Sequence, residues 1–165
     1  MITREYWIQH LGLIPHPEGG FYKEVFRSNI SVDKEQLPVG YKASRRLATS
    51  IYYLLRSEDI SKMHRLRSDE LWYFHSGSPI KIIYIDQEGK KHTKILGDNP
   101  EKAECVYSHI PAGNLFAAEV VEPNTYSLVS CVVIPGFEFD DFEMFSKDDL
   151  IQAYPKHADL FDKFC

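Results

Sequence analysis

Between Leu47 and Glu122 the sequence breaks into short strand-like runs at close spacing, 47–55, 61–66, 70–75, 80–86, 91–96, 105–109 and 115–121. Runs of that length, separated by turn residues, belong to a sandwich or a barrel. Asp86-Gln87-Glu88-Gly89-Lys90 and Ser76-Gly77-Ser78-Pro79 both read as hairpin turns and predict antiparallel neighbours on either side. A further run, Leu128 to Pro135, is apolar enough to be buried on both faces, a place that a double-sheet jelly roll provides. Upstream, Gly19-Gly20 introduces an alternating strand from Phe21 to Ser28. Ten Tyr and ten Phe suit a sheet protein, because aromatic side chains pack well on a pleated surface.

Helical signals are confined to the ends. Thr3 is placed to cap a short helix whose stripe is Tyr6, Trp7, His10 and Leu11, with Gly12 closing it, and this helix is expected outside the barrel. Ser146-Lys147-Asp148-Asp149 is an acidic capping box opening a helix with Leu150, Ile151 and Tyr154; Pro155 ends it before a second short helix. The charges of these helices read as a solvated outer face. The polar stretch 29–44 is expected to be a mobile loop, serving as a lid or a dimer contact.

The chain of 165 residues fits one domain, 1–165, without repeat or linker. A formal charge of -5 with scattered Lys and Arg argues against a nucleic-acid surface. No stretch approaches the roughly 20 apolar residues of a membrane span, and no basic segment precedes an apolar run, so a soluble cytoplasmic protein is expected. Cys105, Cys131 and Cys165 are an odd number without metal-ligand pairing, as reduced thiols would be, and Cys131 reads as a small buried hydrophobe.

Chemistry concentrates in His64-Arg-Leu66-Arg-Ser-Asp-Glu70-Leu-Trp72-Tyr-Phe74-His75-Ser-Gly77, followed by Pro111-Ala112-Gly113-Asn-Leu-Phe116. His64, Glu70 and Gly77 keep the spacing of the first cupin motif. With Leu13-Ile-Pro15-His16-Pro17-Glu18-Gly19-Gly20-Phe21-Tyr22, Ser50 to Leu55, Leu96-Gly97 and Cys131 to Phe139, these segments resemble the cupin-5 (domain-of-unknown-function 985) family of the cupin superfamily along most of the chain. The resemblance implies an all-β dominated fold, the cupin double-stranded β-helix or jelly-roll barrel, with short N- and C-terminal helices. It also implies a homodimer. Leu66 stands where the motif has its second His, and Phe116 where the later motif has its third. Two of four ligands of a His3Glu centre are therefore replaced, and one imidazole with one carboxylate rarely retains a metal, so no metal and no cofactor are expected.

The resemblance further implies that His64, Leu66 and Glu70 point into the barrel, with Trp72 and Phe74 continuing the Glu70 face by alternation. Glu70 is expected to accept a hydrogen bond from His64 and fix its tautomer, making His64 a general base or acid; the alternative is a satisfied polar pair left from a metal-binding ancestor. Phe116 suits stacking on a planar ligand, or is ordinary core. Apolar Phe26 favours the Tyr22–Glu24–Phe26 face of the early strand as the inward one. His75 and His109 read as outside the site. Arg27, Arg45, Arg46 and Arg65 are candidates for an anion at the mouth. The His16–Gly20 segment reads as turn architecture, and Pro135 to Phe142 as a cover for the open end.

These residues support a small-molecule-binding cupin, acting as a metal-independent epimerase or isomerase of a sugar or sugar-nucleotide-like substrate. His64 would be its base, and Tyr22, Tyr52, Tyr53 or Tyr84 its acid. The alternatives are a non-catalytic ligand-binding module and, third, a metal-dependent cupin enzyme with a non-standard donor.

Overall fold

The structure is a computed structural model that describes residues 2–165. Its elements run α1 (Arg4–Leu11), β1 (Ile14–Pro15), β2 (Phe21–Arg27), β3 (Ser31–Val32), β4 (Arg45–Arg46), β5 (Thr49–Arg56), β6 (Ile60–Leu66), β7 (Asp69–Gly77), β8 (Ile80–Ile85), β9 (Lys91–Leu96), β10 (Tyr107–Ile110), β11 (Leu115–Val120), β12 (Tyr126–Ile134), β13 (Phe142–Met144), α2 (Lys147–Ala153) and α3 (Ala158–Phe164). Two antiparallel sheets face one another, ordered β1-β2-β5-β12-β7-β10 and β13-β6-β11-β8-β9, with β3 and β4 as a separate pair. This is the jelly-roll arrangement of a strand-dominated fold with short terminal helices.

Alternation along the strands builds the core. Tyr53 and Leu55, Trp72, Val129 and Cys131 from the first sheet meet Ile80, Ile82, Phe116 and Ala118 from the second. Residues of the opposite parity face outward and are covered by helices. Met63, Ile83 and Ala117 lie under Leu150, Phe161 and Phe164 of α2 and α3. Leu54, Tyr126 and Leu128 lie under Trp7, Ile8 and Leu11 of α1. Leu128 and Val129 therefore both find apolar cover, which explains the continuous apolar run of β12.

Both helix ends form as their caps dictate. Thr3 Oγ1 accepts from Tyr6 N, Gly12 closes α1 with φ +64°, and Ser146 Oγ accepts from Asp149 N. The Asp86–Lys90 turn joins paired β8 and β9. The Ser76–Pro79 turn does not make a hairpin: β7 pairs with β12 and β10, while β8 pairs with β11 and β9. Gly77, at φ +99°, instead turns the chain from one sheet to the other. A Cβ there would sit 2.2 Å from Tyr126 O, and Ser78 N donates to that same oxygen. Stretch 29–44 is anchored rather than bare loop. Val32 pairs with Arg45, and buried Tyr41 hydrogen-bonds Arg67 O and Ser68.

Candidate functional site

A cavity of about 140 Å³ opens between the sheets. Its walls follow strand parity: Thr49, Ile51 and Tyr53 of β5, His64 and Leu66 of β6, Glu70 and Trp72 of β7, and Cys131 and Val133 of β12. Phe137, Glu138, Phe139 and Phe142 close one side. Strand β2 contributes Tyr22, Glu24 and Arg27, and these three do not share one parity. Glu24 pairs with Ile51 and Phe26 with Ser50, so Val25 is an extra residue, a bulge that flips everything after it. Tyr22 and Glu24 thus line the cavity, whereas Phe26 is 53% exposed and Arg27 takes the inward place expected of it.

The polar centre is delivered by the turn before β2. Gly19 and Gly20 have φ of +116° and +73°, and a Cβ on Gly19 would lie 2.0 Å from Ile60 O. Only glycine lets this turn press against the start of β6, where Lys62 N donates to Glu18 O. The buried Glu18 side chain then reaches Ser61 Oγ at 3.0 Å through Oε1 and His64 Nε2 at 3.1 Å through Oε2. His64 Nδ1 lies 2.6 Å from Lys62 O. A carbonyl only accepts, so Nδ1 carries the hydrogen and Nε2 is the nitrogen that faces Glu18. His16 is the opposite tautomer. Its Nδ1 accepts from Glu18 N, leaving its hydrogen on Nε2, and burial lowers its pKa and keeps it neutral.

Glu70 occupies a different environment. Burial first, then the nearby Glu18 charge, pushes its carboxyl up to about 8, while Trp72 and Cys131 oppose the rise without reversing it. Its Oε2 and the Trp72 Nε1, both buried, have no hydrogen-bond partner among the described residues. Burial likewise holds the Tyr53 phenol and the Cys131 thiol in their neutral forms. The site therefore holds a paired Glu18–His64 couple beside a Glu70 that burial and the Glu18 charge keep protonated at neutral pH.

Several sequence expectations need correction. His64 hydrogen-bonds Lys62 O and pairs with Glu18 at 3.1 Å, and no hydrogen bond joins it to Glu70. Phe116 is no platform for a ligand. It is 1% exposed, its ring lies 4.0 Å from that of His64, and it backs the imidazole from within the core. Phe74 packs on the core without lining the cavity. Arg45 is buried against Asp141 through two hydrogen bonds of 2.5 and 2.9 Å, Arg65 pairs with Glu143, and Arg46 bonds Asn29 O; only Arg27 stands at the mouth. Of the four tyrosines, Tyr52 packs near His75 and Tyr84 stacks on His92, away from the cavity, leaving Tyr22 and Tyr53. His75 and His109 lie outside it. His16 and Glu18 are the residues the sequence reading missed. Their signal was a pair of titratable groups beside Gly-Gly in one of the segments that carried the resemblance.

The model of the Cupin_5 family, cupin superfamily (DUF985), matches residues 5–145. The chain belongs to that family. The chain is similar in structure to a hypothetical protein from Leishmania major, with a TM-score of 0.90 at 36% identity, covering 99% of both chains. Protein SO0799 from Shewanella oneidensis gives 0.89 at 38%, covering 99% of this chain and 98% of that one. The uncharacterized protein YML079W of Saccharomyces cerevisiae is 29% identical over 147 residues, 83% of this chain and 72% of its own.

The cupin superfamily raises the question of a metal. In this cupin-5 chain Leu66 and Phe116 offer no donor atom at two motif positions, and Glu18 occupies His64 Nε2. Among the described residues no group of three His, Cys, Asp or Glu side chains is arranged to hold an ion. The donor set does not fit a His3Glu centre.

Proposed function

We propose that this cupin binds a small, ring-sized organic molecule and moves protons on it without a metal, as an epimerase or isomerase of a sugar-like carbonyl compound does. One observation carries the reading: Glu70, its Oε2 unpartnered among the described residues and its proton affinity raised, and a Glu18–His64 couple 3.1 Å apart line the same mostly apolar cavity. A carboxyl whose proton affinity is raised, beside a second one paired with Ser61 and His64, divides naturally into acid and base. Glu18, held by Ser61 and His64, accepts a proton from the carbon beside the carbonyl. Glu70 hydrogen-bonds the carbonyl oxygen as negative charge develops there. Tyr22, whose hydroxyl has no hydrogen-bond partner among the described residues, is placed to return a proton. The cavity matches the roughly 150 Å³ that admits a benzene ring.

The test is solvent deuterium incorporation, followed by NMR, into a panel of ketoses, aldoses and keto-sugar derivatives. Exchange is expected in at least one compound and is lost in Glu18→Gln and Glu70→Gln. Saturable binding without any exchange across the panel would overturn the catalytic reading in favour of a ligand-binding module.

The same reading has the protein act as a cytoplasmic homodimer. Across the outer face of the larger sheet, Tyr52, Ser130, Tyr73 and Tyr107 align in one row and Phe26, Ser50, Val132 and Leu71 in the next. Phe26, Tyr73 and Tyr107 are exposed, and a face of that character is what a second copy covers. Tyr73→Glu is expected to convert a dimer to a monomer in sedimentation velocity; a wild-type monomer would refute the assembly. Among the described residues no helix is long and apolar enough to cross a membrane.

A further inference from the structure

We propose that the cavity selects a compact organic cation, an ammonium-bearing molecule of about ring size, over anions of the same shape. The inference rests on the small-molecule reading above and not on its proton-transfer step. Six aromatic side chains, Tyr22, Tyr53, Trp72, Phe137, Phe139 and Phe142, line the space. Aromatic faces carry negative potential and attract ammonium groups, the more so where water is excluded. Three carboxylates, Glu18, Glu24 and Glu138, share the lining.

Arg27 and His64, the basic groups that could meet an anion, are already engaged. His64 is held by Glu18 at 3.1 Å. Arg27 gives Nε and Nη2 to Glu24 at 2.9 and 2.8 Å and Nη1 to Glu138 at 2.6 Å, so the fork that would clamp a phosphate or carboxylate is filled. An entering anion must displace two carboxylates at the mouth and then approach a third. A cation meets a lining that sets three carboxylates against one guanidinium. Deeper in, Glu70 Oε2 offers an acceptor with no protein partner among the described residues.

The experiment uses three probes of one shape and different charge: choline, its neutral carbon isostere 3,3-dimethylbutan-1-ol, and 3,3-dimethylbutanoate. Each is titrated into the full chain by calorimetry. Choline is expected to bind once per chain, at least tenfold more tightly than the alcohol, with no measurable binding of the carboxylate. Equal or tighter binding of the alcohol overturns charge selection and leaves a small-molecule pocket standing. Failure of all three also overturns the inference, while deuterium exchange on the sugar panel reports separately on the proposed reaction. In Glu24→Gln/Glu138→Gln, checked for an unchanged melting transition, Arg27 is released. Choline should weaken at least fivefold and the carboxylate begin to bind; unchanged preferences would refute the role given to the mouth.

Discussion

Glu70 should make the stability of this protein fall as pH rises, and Glu70→Gln should remove that fall. The unfolded carboxyl ionises near its ordinary 4.5, whereas in the folded chain burial and the Glu18 charge hold it protonated to about 8. Within that window the folded state retains a proton that the unfolded state has released. Stability therefore drops with pH, by about 1.4 kcal/mol for each pH unit. The advantage is complete below about pH 4.5 and lost above about 8, roughly 5 kcal/mol across the window, a large share of the 5–15 kcal/mol typical of a domain. His16, whose proton affinity burial lowers, acts in the opposite sense: it costs stability at low pH, and that cost fades as pH rises to the ordinary histidine value and is gone above it. It is present in both proteins and cancels when the two curves are subtracted. Any fixed cost of the glutamine amide is independent of pH and leaves the slope untouched. The assay is urea unfolding at one-unit intervals from pH 5 to 9, with Glu Cδ chemical shifts reporting the Glu70 titration directly. Parallel curves for the two proteins, or a Glu70 midpoint below pH 6, would refute the reasoning.

Three further outcomes follow from the packing. Arg45→Met or Asp141→Leu alone strands a buried charge and should cost about 3–5 kcal/mol in urea unfolding, while the double replacement should recover most of it. Gly77→Ala places a Cβ against Tyr126 O at positive φ and should cost more than about 2 kcal/mol, seen as a lower melting temperature. Leu66→His/Phe116→His restores the two missing imidazoles and should bind one zinc or nickel ion per chain by plasma mass spectrometry, whereas either single replacement should not.

The sequence specified strands well and their partners less well, for a physical reason. Alternation and caps are local, so β5, β9, α1 and α2 stand close to where the pattern puts them. Pairing depends on where the chain goes after a turn. Asp86–Gly89 and Ser76–Pro79 have similar turn chemistry, yet only the first returns along its own sheet. What separates them is the tight approach of Gly77 to Tyr126, a contact with a strand some fifty residues away. Val25 poses the same difficulty on a smaller scale. A bulge is set by the partner strand, and without it alternation alone puts Phe26 inside and Arg27 outside, the reverse of what is found.

The same distinction accounts for the site. His64 and Glu70 were legible through motif spacing, because a spacing within one hairpin-length segment survives folding unchanged. Their relation was not. His64 has two nitrogens to satisfy, and which carboxylate takes the second depends on which segment packs over β6. That segment is the His16–Gly20 turn, brought there by two glycines at positive φ. Once Glu18 has taken His64, Glu70 is left with neither cation nor donor for Oε2, and its raised proton affinity follows from that loss together with burial. The replacement of ligand positions by Leu66 and Phe116 works in the same direction. An apolar side chain and a ring packed on His64 deepen the desolvation around both acids. The substitutions that dismantle a metal centre are thus the ones that favour a neutral carboxylic acid in the floor of the cavity, and the chemistry left to this fold is that of the proton.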